Sequence, residues 1–336
     1  MNRPIKKTFA SGLLVLVLAG CSNRATVNQN LTFPADAKQP FLILEDVLGA
    51  KSSEHAGMMP RLKTILFGAP LSDPLLRPVA SVQNGEQLYI ADADAGKVFV
   101  YALQDGAYQQ SGSFGEDELR APGGITIWND TLVVSDGDAG IICRFDHEFG
   151  LIDTLPVRGL IRPGQLKVNP QNNELFIVDA PGHHVVSIDS DGQVTGRIKH
   201  KQTGDQLLGS PMAVDFTEDG HIVVLDGLSR RVEIFKPDYS YESGFGGYDR
   251  VPGSFASPKG LAISADGNVF ISDAAFGNIQ IFDINGALLY FFGQTGKEAG
   301  EFLLPGSISI DQSNRLYVMD QFNSRIQIFH YLAQGE

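Results

Sequence analysis

Carboxylates set at a near-constant interval are the first groups in this chain that could do chemistry. Six apolar runs each end in aspartate: Leu88–Asp92, Leu132–Asp136, Leu175–Asp179, Ile222–Asp226, Val269–Asp273 and Leu316–Asp320. Each aspartate precedes a short turn, where a carboxylate can accept backbone N–H groups and hold the turn shut. One carboxylate per repeat at the same place is what such a structural role requires, so Asp92, Asp136, Asp179, Asp226, Asp273 and Asp320 are read as turn residues. In the first two repeats a second carboxylate follows, at Asp94 and Asp138. Such pairs could share a calcium, but that cation takes about 6–8 oxygen ligands. Two per turn fall short, so no metal and no cofactor is assigned and the pairs read as solvated acidic turns.

The elements that must position these groups follow from the spacing. The six aspartates lie 44, 43, 47, 47 and 47 residues apart. A period of roughly 40–50 residues built from short strands marks a propeller blade. The expectation is an all-β, six-bladed propeller of four-stranded blades. The innermost strand begins at a proline followed by small residues, as at Pro122, Pro258 and Pro305, with weaker copies at Pro78, Pro163 and Pro211. Small side chains there let backbones converge near the axis. The second strand ends in the repeating aspartate. The third alternates apolar and polar residues with period two, as in Arg231–Phe235, Asn278–Phe282 and Arg325–Phe329. A fourth, outer strand follows in each repeat but the last. Leu62–Gly68 has the form of an outer strand and stands alone before the first repeat, so it is expected to pair with Arg325–Phe329 and close the ring. Phe41–Leu44 is expected as an extra edge strand.

These residues resemble the NHL repeat, whose pattern runs Phe-Gly, a glycine-rich stretch, Phe, Pro, an apolar alternation, Asp, and a turn with Asn and Arg. The sixth repeat matches best, through Phe292, Gly293, Gly296, Gly300, Phe302, Pro305, Asp320, Asn323 and Arg325. The fifth keeps Phe245, Gly246, Gly253, Phe255, Pro258 and Asp273 but has Asn278 where arginine is usual, and the fourth keeps Asp226 and Arg231. The first three carry Lys97, Ile141 and His184 at that place. The resemblance spans about residues 62–331 and implies fold more than function, because propellers host many activities. It implies two enzymatic precedents. NHL-like amidating lyases use a histidine cluster near the axis, and propeller lactonases and gluconolactone hydrolases ring the channel with Glu, Asn and Asp around a divalent cation. The seven histidines here, His55, His147, His183, His184, His200, His221 and His330, share no spacing between inner strands. Inner strands offer mostly residues such as Val82, Thr126, Ala262 and Ser309, with Lys167 and Asp215 as charged members. No nucleophile with its base stands out. A non-catalytic binding scaffold is therefore expected, with a metal-dependent hydrolase or lyase of the lactonase type, holding an axial divalent cation, as the alternative.

The N-terminal residues read as an export signal, with Arg3, Lys6 and Lys7 ahead of an apolar stretch from Phe9 to Ala19. That stretch is shorter than the about 20 residues that span a bilayer. It ends in Leu18, Ala19, Gly20 and Cys21, similar to the lipobox of bacterial lipoproteins. The resemblance implies acylation of Cys21, and Ser22 after it favours the outer membrane of a diderm cell, facing the periplasm. The expected divisions are a signal peptide at 1–20, a lipidated cysteine and polar tether at 21–60, the propeller at 61–332 and a tail at 333–336. Residues 1–20 hold three of the 26 cationic and none of the 39 acidic side chains, so the remainder carries a formal charge of −16. That disfavours nucleic acid and anionic headgroups as partners, leaving the membrane to be met through the anchor alone. Cys143 is the other cysteine, so no intrachain disulfide forms in the mature protein, and its mid-strand place marks an inert thiol.

What remains for function is surface. The turns between second and third strands share a face with the connections between blades. There the early blades carry Asp94 and Asp138, and the later ones Leu228, Tyr248, Phe276 and Phe322. Clustered apolar groups at turn tips mark interaction sites unless they fold back on neighbouring loops. The expected partner is a protein or peptide at the cell envelope, met by a monomeric propeller.

Overall fold

The computed structural model describes residues 31–35, 40–49, 73–199, 208–249 and 251–333. Six antiparallel sheets follow one another in chain order, as the spacing predicts. Each blade starts at its axial strand: Pro78–Asn84, Pro122–Trp128, Pro163–Val168, Pro211–Phe216, Pro258–Ile263 and Pro305–Ile310. Proline opens all six because it has no N–H to donate, and each proline pairs across to the strand-end aspartate just before a register shift. Among the described residues no helix is long and apolar enough to cross a membrane.

The core is divided among the gaps between blades. Six buried apolar clusters each join two neighbours, as where Trp128, Val133 and Ile142 of blade two meet Leu166, Ile177 and Val186 of blade three. Near the axis the backbones approach so closely that side chains are excluded. A Cβ on Gly124 would stand 2.4 Å from the Gly164 carbonyl oxygen, and one on Gly260 would stand 2.7 Å from that of Gly306. Both contacts are below any ordinary packing distance, which is why these positions are glycine.

The ring is closed by strands from both ends of the chain, but the closing strand differs from the one expected. Leu42–Leu48 forms the fourth strand of blade six, running from Leu42 opposite Tyr331 to Leu48 opposite Ile326. Thr32–Phe33 adds a fifth strand outside it. Since Leu42–Leu48 occupies the edge of Arg325–Tyr331, that edge is not available to Leu62–Gly68, which lies outside the described residues. The Phe41–Leu44 edge strand of the sequence reading is the start of this closing strand. Leu42 and Leu44 bury into the cluster between blades five and six, and Leu48 into the one between six and one.

Candidate functional site

The repeating aspartates are fully buried, and each accepts backbone N–H from the connection entering its blade. Asp273 accepts N–H groups from Ala256 at 2.7 Å and Ser257 at 3.1 Å, both in the connection entering its blade. It also accepts those of Ala275 at 3.0 Å and Phe276 at 3.1 Å in the turn that follows. Asp92, Asp136 and Asp226 repeat the arrangement. Asp179 takes Ile161 and Arg162, and Asp320 takes Leu303 together with the Asn323 and Arg325 side chains. With their oxygens committed to amides, these carboxylates are clamps between blade entry and turn. Asp94 and Asp138 are engaged in ion pairs instead, with Arg77 at 2.8 Å and Arg162 at 2.7 Å. A second carboxylate repeat, missed in the sequence reading, lies on the opposite face. Asp146, Asp189 and Asp311 each accept the amides two and four residues on. Its signal was the spacing of aspartate before Gly or Asn in those turns.

The axial channel opens through two mouths. The one on the opposite face encloses about 530 Å³ and is lined by Ser81, Thr126, Gln165, Lys167, Ser309 and Tyr317 among others. Its polar groups bind one another across blades. Ser81 meets Ser309 at 3.1 Å, and Gln165 exchanges hydrogen bonds with the Val214 backbone. Lys167 pairs with Asp215 at 2.9 Å, and Asp215 also accepts the amides of Phe216 and Ile263. A cation at Asp215 would have to displace an ammonium and two amides, so this carboxylate is a poor metal ligand. Among the described residues no three His, Cys, Asp or Glu side chains gather as metal ligands.

Among the described residues the histidines lie away from the channel. His184 is buried beside Asp179 and within 3.3 Å of Arg197, and burial is the main reason its imidazole sits below the ordinary histidine value. His183 meets the Gly209 carbonyl at 2.7 Å, His221 lies between Asp219 and Glu242, and His330 is 3.8 Å from Glu45. His55 and His200 fall outside the described residues. Cys143 is 1% exposed, and burial pushes its thiol up to about 11, which fits an unreactive side chain. At Lys97 burial lowers the ammonium, yet Asp73 at 2.7 Å and Glu116 at 2.6 Å outweigh it and hold the group above the usual lysine value.

On the turn face the mouth encloses about 500 Å³, and Met212, Leu304 and Phe322 line it with Arg77, Arg162 and Lys259. Most of the large exposed apolar residues lie on this face. Leu76, Ile161 and Leu304 occupy connections between blades, Leu228, Phe276 and Phe322 turn tips, and Tyr248 and Val251 the approach to blade five. The other exposed large apolar residues, Leu151, Ile152, Val194, Leu289 and Phe291, lie on outer strands. Four candidates named from sequence separate here. Phe322 is 62% exposed at the mouth, and Leu228 is 71% exposed against Gly209. Tyr248 is 63% exposed, with the Arg230 guanidinium over one face of its ring, 4.5 Å from the centre. Phe276 sits instead on a separate cleft in blade five, with Val251 and Phe291.

A family model described as "6-bladed beta-propeller" matches residues 260–334, the last two blades. No curated protein matches the sequence. Solved structures agree on the fold. A putative gluconolactonase is similar at a TM-score of 0.60 and 12% identity, covering 78% of this chain and 91% of its own. A Bacteroides thetaiotaomicron protein of unknown function gives 0.60 and 15%, covering 77% and 70%. A catalytically inactive virginiamycin B lyase from Staphylococcus aureus with quinupristin gives 0.56 and 11%, covering 79% and 98%. At such identities the likeness carries the propeller fold alone. By sequence and by structure, the chain is a six-bladed β-propeller.

Proposed function

We propose that this protein is an NHL-like propeller of the cell envelope, lipid-anchored through Cys21, which binds a partner protein on its turn face and catalyses no reaction. The observation that carries the reading is the apolar surface of the turn face, where Leu228 and Phe322 stand 71% and 62% exposed. Exposed apolar groups gathered on one face favour a macromolecular partner. The Arg77–Asp94 and Arg162–Asp138 pairs beside it form a polar rim that tunes association. The lactonase-like alternative draws on the named relatives of the fold and on the opposite-face mouth. It needs Asp215 released from Lys167, and metal analysis of the purified protein tests it directly.

Two experiments test the reading. A Leu228→Ser/Phe322→Ser variant is expected to keep its melting temperature and to lose recovery of its partner from solubilised membranes. Retained recovery would place the working surface elsewhere, and unfolding would show that these side chains are packed. A Cys21→Ala variant is expected to leave the outer-membrane fraction, appearing in the soluble periplasm or remaining unprocessed. A variant that is cleaved and still membrane-bound would remove the anchor from the proposal.

A further inference from the structure

Blade six shows what the arginine of this repeat does. Arg325 is 6% exposed, and its Nε donates to Asp320 at 2.7 Å. Its remaining nitrogens donate to the carbonyls of Lys297, Glu298 and Glu301, each at 2.8 Å. Gln327, two residues on, donates to the same Glu301 carbonyl at 2.7 Å. A guanidinium thus ties the connection entering the blade to the strand that carries it.

Blade five has the same backbone without the arginine. Asn278 pairs with Asp273 as Arg325 pairs with Asp320. At matching separations from the aspartate, Val251 and Ser254 stand where Glu298 and Glu301 do. The Ser254 amide donates to the Val251 carbonyl at 3.1 Å, as Glu301 does to Glu298, also at 3.1 Å. Gln280 reaches the Ser254 carbonyl at 3.3 Å, in the role of Gln327. The shorter asparagine leaves a cleft of about 260 Å³, bounded by Val251, Pro252, Phe276, Leu288 and Phe291. That is below the about 300–1,000 Å³ of a drug-sized site and on the scale of one side chain. Within the cleft the Asn278 Oδ1 atom is buried and accepts no hydrogen bond, alone among the described residues in this. A buried acceptor without a donor is costly and calls for an explanation.

We propose that this cleft receives an arginine side chain of the partner protein, whose guanidinium takes the place that Arg325 fills in blade six. The proposal rests on the turn-face reading above and names the chemistry that the face selects. The Val251 carbonyl already accepts the Ser254 amide and hydroxyl, so the polar groups at issue are the Asn278 Oδ1 atom and the Ser254 carbonyl, both acceptors, and the occupant must be a donor. Guanidinium offers several N–H groups in a fixed plane, whereas an ammonium is a compact point charge that spans such acceptors poorly. Phe276 and Phe291, 47% and 54% exposed, flank the entrance and can cover both the aliphatic stem and the cation. The chain's formal charge of −13 favours a cationic visitor over an anionic one.

The test uses the full mature chain and three probes, the N-acetyl amides of arginine, lysine and citrulline, titrated while aromatic resonances are followed by NMR. The arginine probe is expected to bind saturably in the millimolar range, shifting Phe276 and Phe291, with the other two at least five-fold weaker. Asn278→Arg is expected to fill the cleft from within, raise the melting temperature and weaken probe binding at least ten-fold. Should that variant fold poorly, Asn278→Leu, which removes the acceptor at similar volume, must show the same loss. Probe binding is read on the protein alone, without its partner, so failure of partner recovery on the wider face leaves this result readable. The proposal is overturned by absent saturation, by equal binding of lysine, or by Asn278 variants that bind unchanged. It is also overturned if the wild type is a dimer that Asn278→Arg disperses, since the occupant is then a second copy. Probe binding seen only after residues 51–71 are replaced by a glycine–serine linker would make the occupant the chain's own Arg61, and overturn it too.

Discussion

Removing residues 31–49 is expected to abolish the cooperative melting transition of this protein. The segment carries the strand that completes blade six, and Leu42, Leu44 and Leu48 are 0%, 1% and 5% exposed. Full burial of a leucine is worth about 1.5–3 kcal/mol. Three of them therefore contribute on the order of 5–9 kcal/mol, the scale of a whole domain's stability of about 5–15 kcal/mol. Phe33, which packs on Phe292 and Phe329 with ring centres 5.1 and 5.9 Å apart, goes with them. The deletion also bares the edge of Arg325–Tyr331 in a sheet that otherwise has a partner there, so aggregation should accompany unfolding. Calorimetry and light scattering read both effects. The control replaces residues 62–68 with glycine and serine. If that replacement removed the transition while the 31–49 deletion kept it, the ring would be closed by the other segment.

The closing strand lacks the features that mark outer strands elsewhere in the chain. Outer strands of blades one, four and five end in Phe-Gly, at Phe114, Phe245 and Phe292, and Leu62–Gly68 copies that ending. Leu42–Leu48 ends instead in Leu48-Gly49, where Gly49 takes a φ of 81° against Leu75 on the way into blade one, so a leucine stands in the aromatic's place. Its alternation is also broken by a register shift between Leu44 and Asp46, and its Glu45 is drawn to Arg315 at 2.9 Å. A bulged strand with two adjacent acids reads as weak, yet its apolar residues still reach two cores. By contrast the blades were legible because the same physical demand recurs six times. A proline without a donor, small residues at a crowded axis and a carboxylate at the strand end recur at near-constant distance.

The candidate site was legible only in part. Turn tips could be placed on one face from strand order, which brought Leu228, Phe276 and Phe322 to the same side. Their separation into mouth and cleft depends on which way loops pack, and sequence carries no such information. Tyr248 shows the same limit, since the guanidinium over its ring belongs to Arg230, a residue eighteen positions earlier. At Asn278 the departure from the repeat was visible. Its consequence, a buried acceptor without a donor beside a cleft, needed the backbone of the preceding connection.

Asp273→Ala is expected to be among the most destabilising single substitutions in the protein. Four backbone N–H groups, those of Ala256, Ser257, Ala275 and Phe276, converge on that carboxylate in the folded state. Alanine leaves them without an acceptor in a site from which the aspartate itself was wholly excluded from water. A buried donor left unpaired costs about 1–3 kcal/mol, so the loss should reach at least about 4 kcal/mol, at the extreme of what point substitutions do. Asp273→Asn keeps one acceptor oxygen and the shape, and should recover about half of that loss. A lower denaturation midpoint with an unchanged denaturant slope is the expected signature, because the clamp acts on the native state. Asp94→Asn supplies the contrast. Its partner Arg77 and Asp94 itself are 37% and 54% exposed, and a pair of that kind contributes about 0–1 kcal/mol. If Asp273→Ala shifted stability no more than Asp94→Asn, the buried carboxylates would not be clamps. Their period would then have to be explained by a ligand common to all six blades.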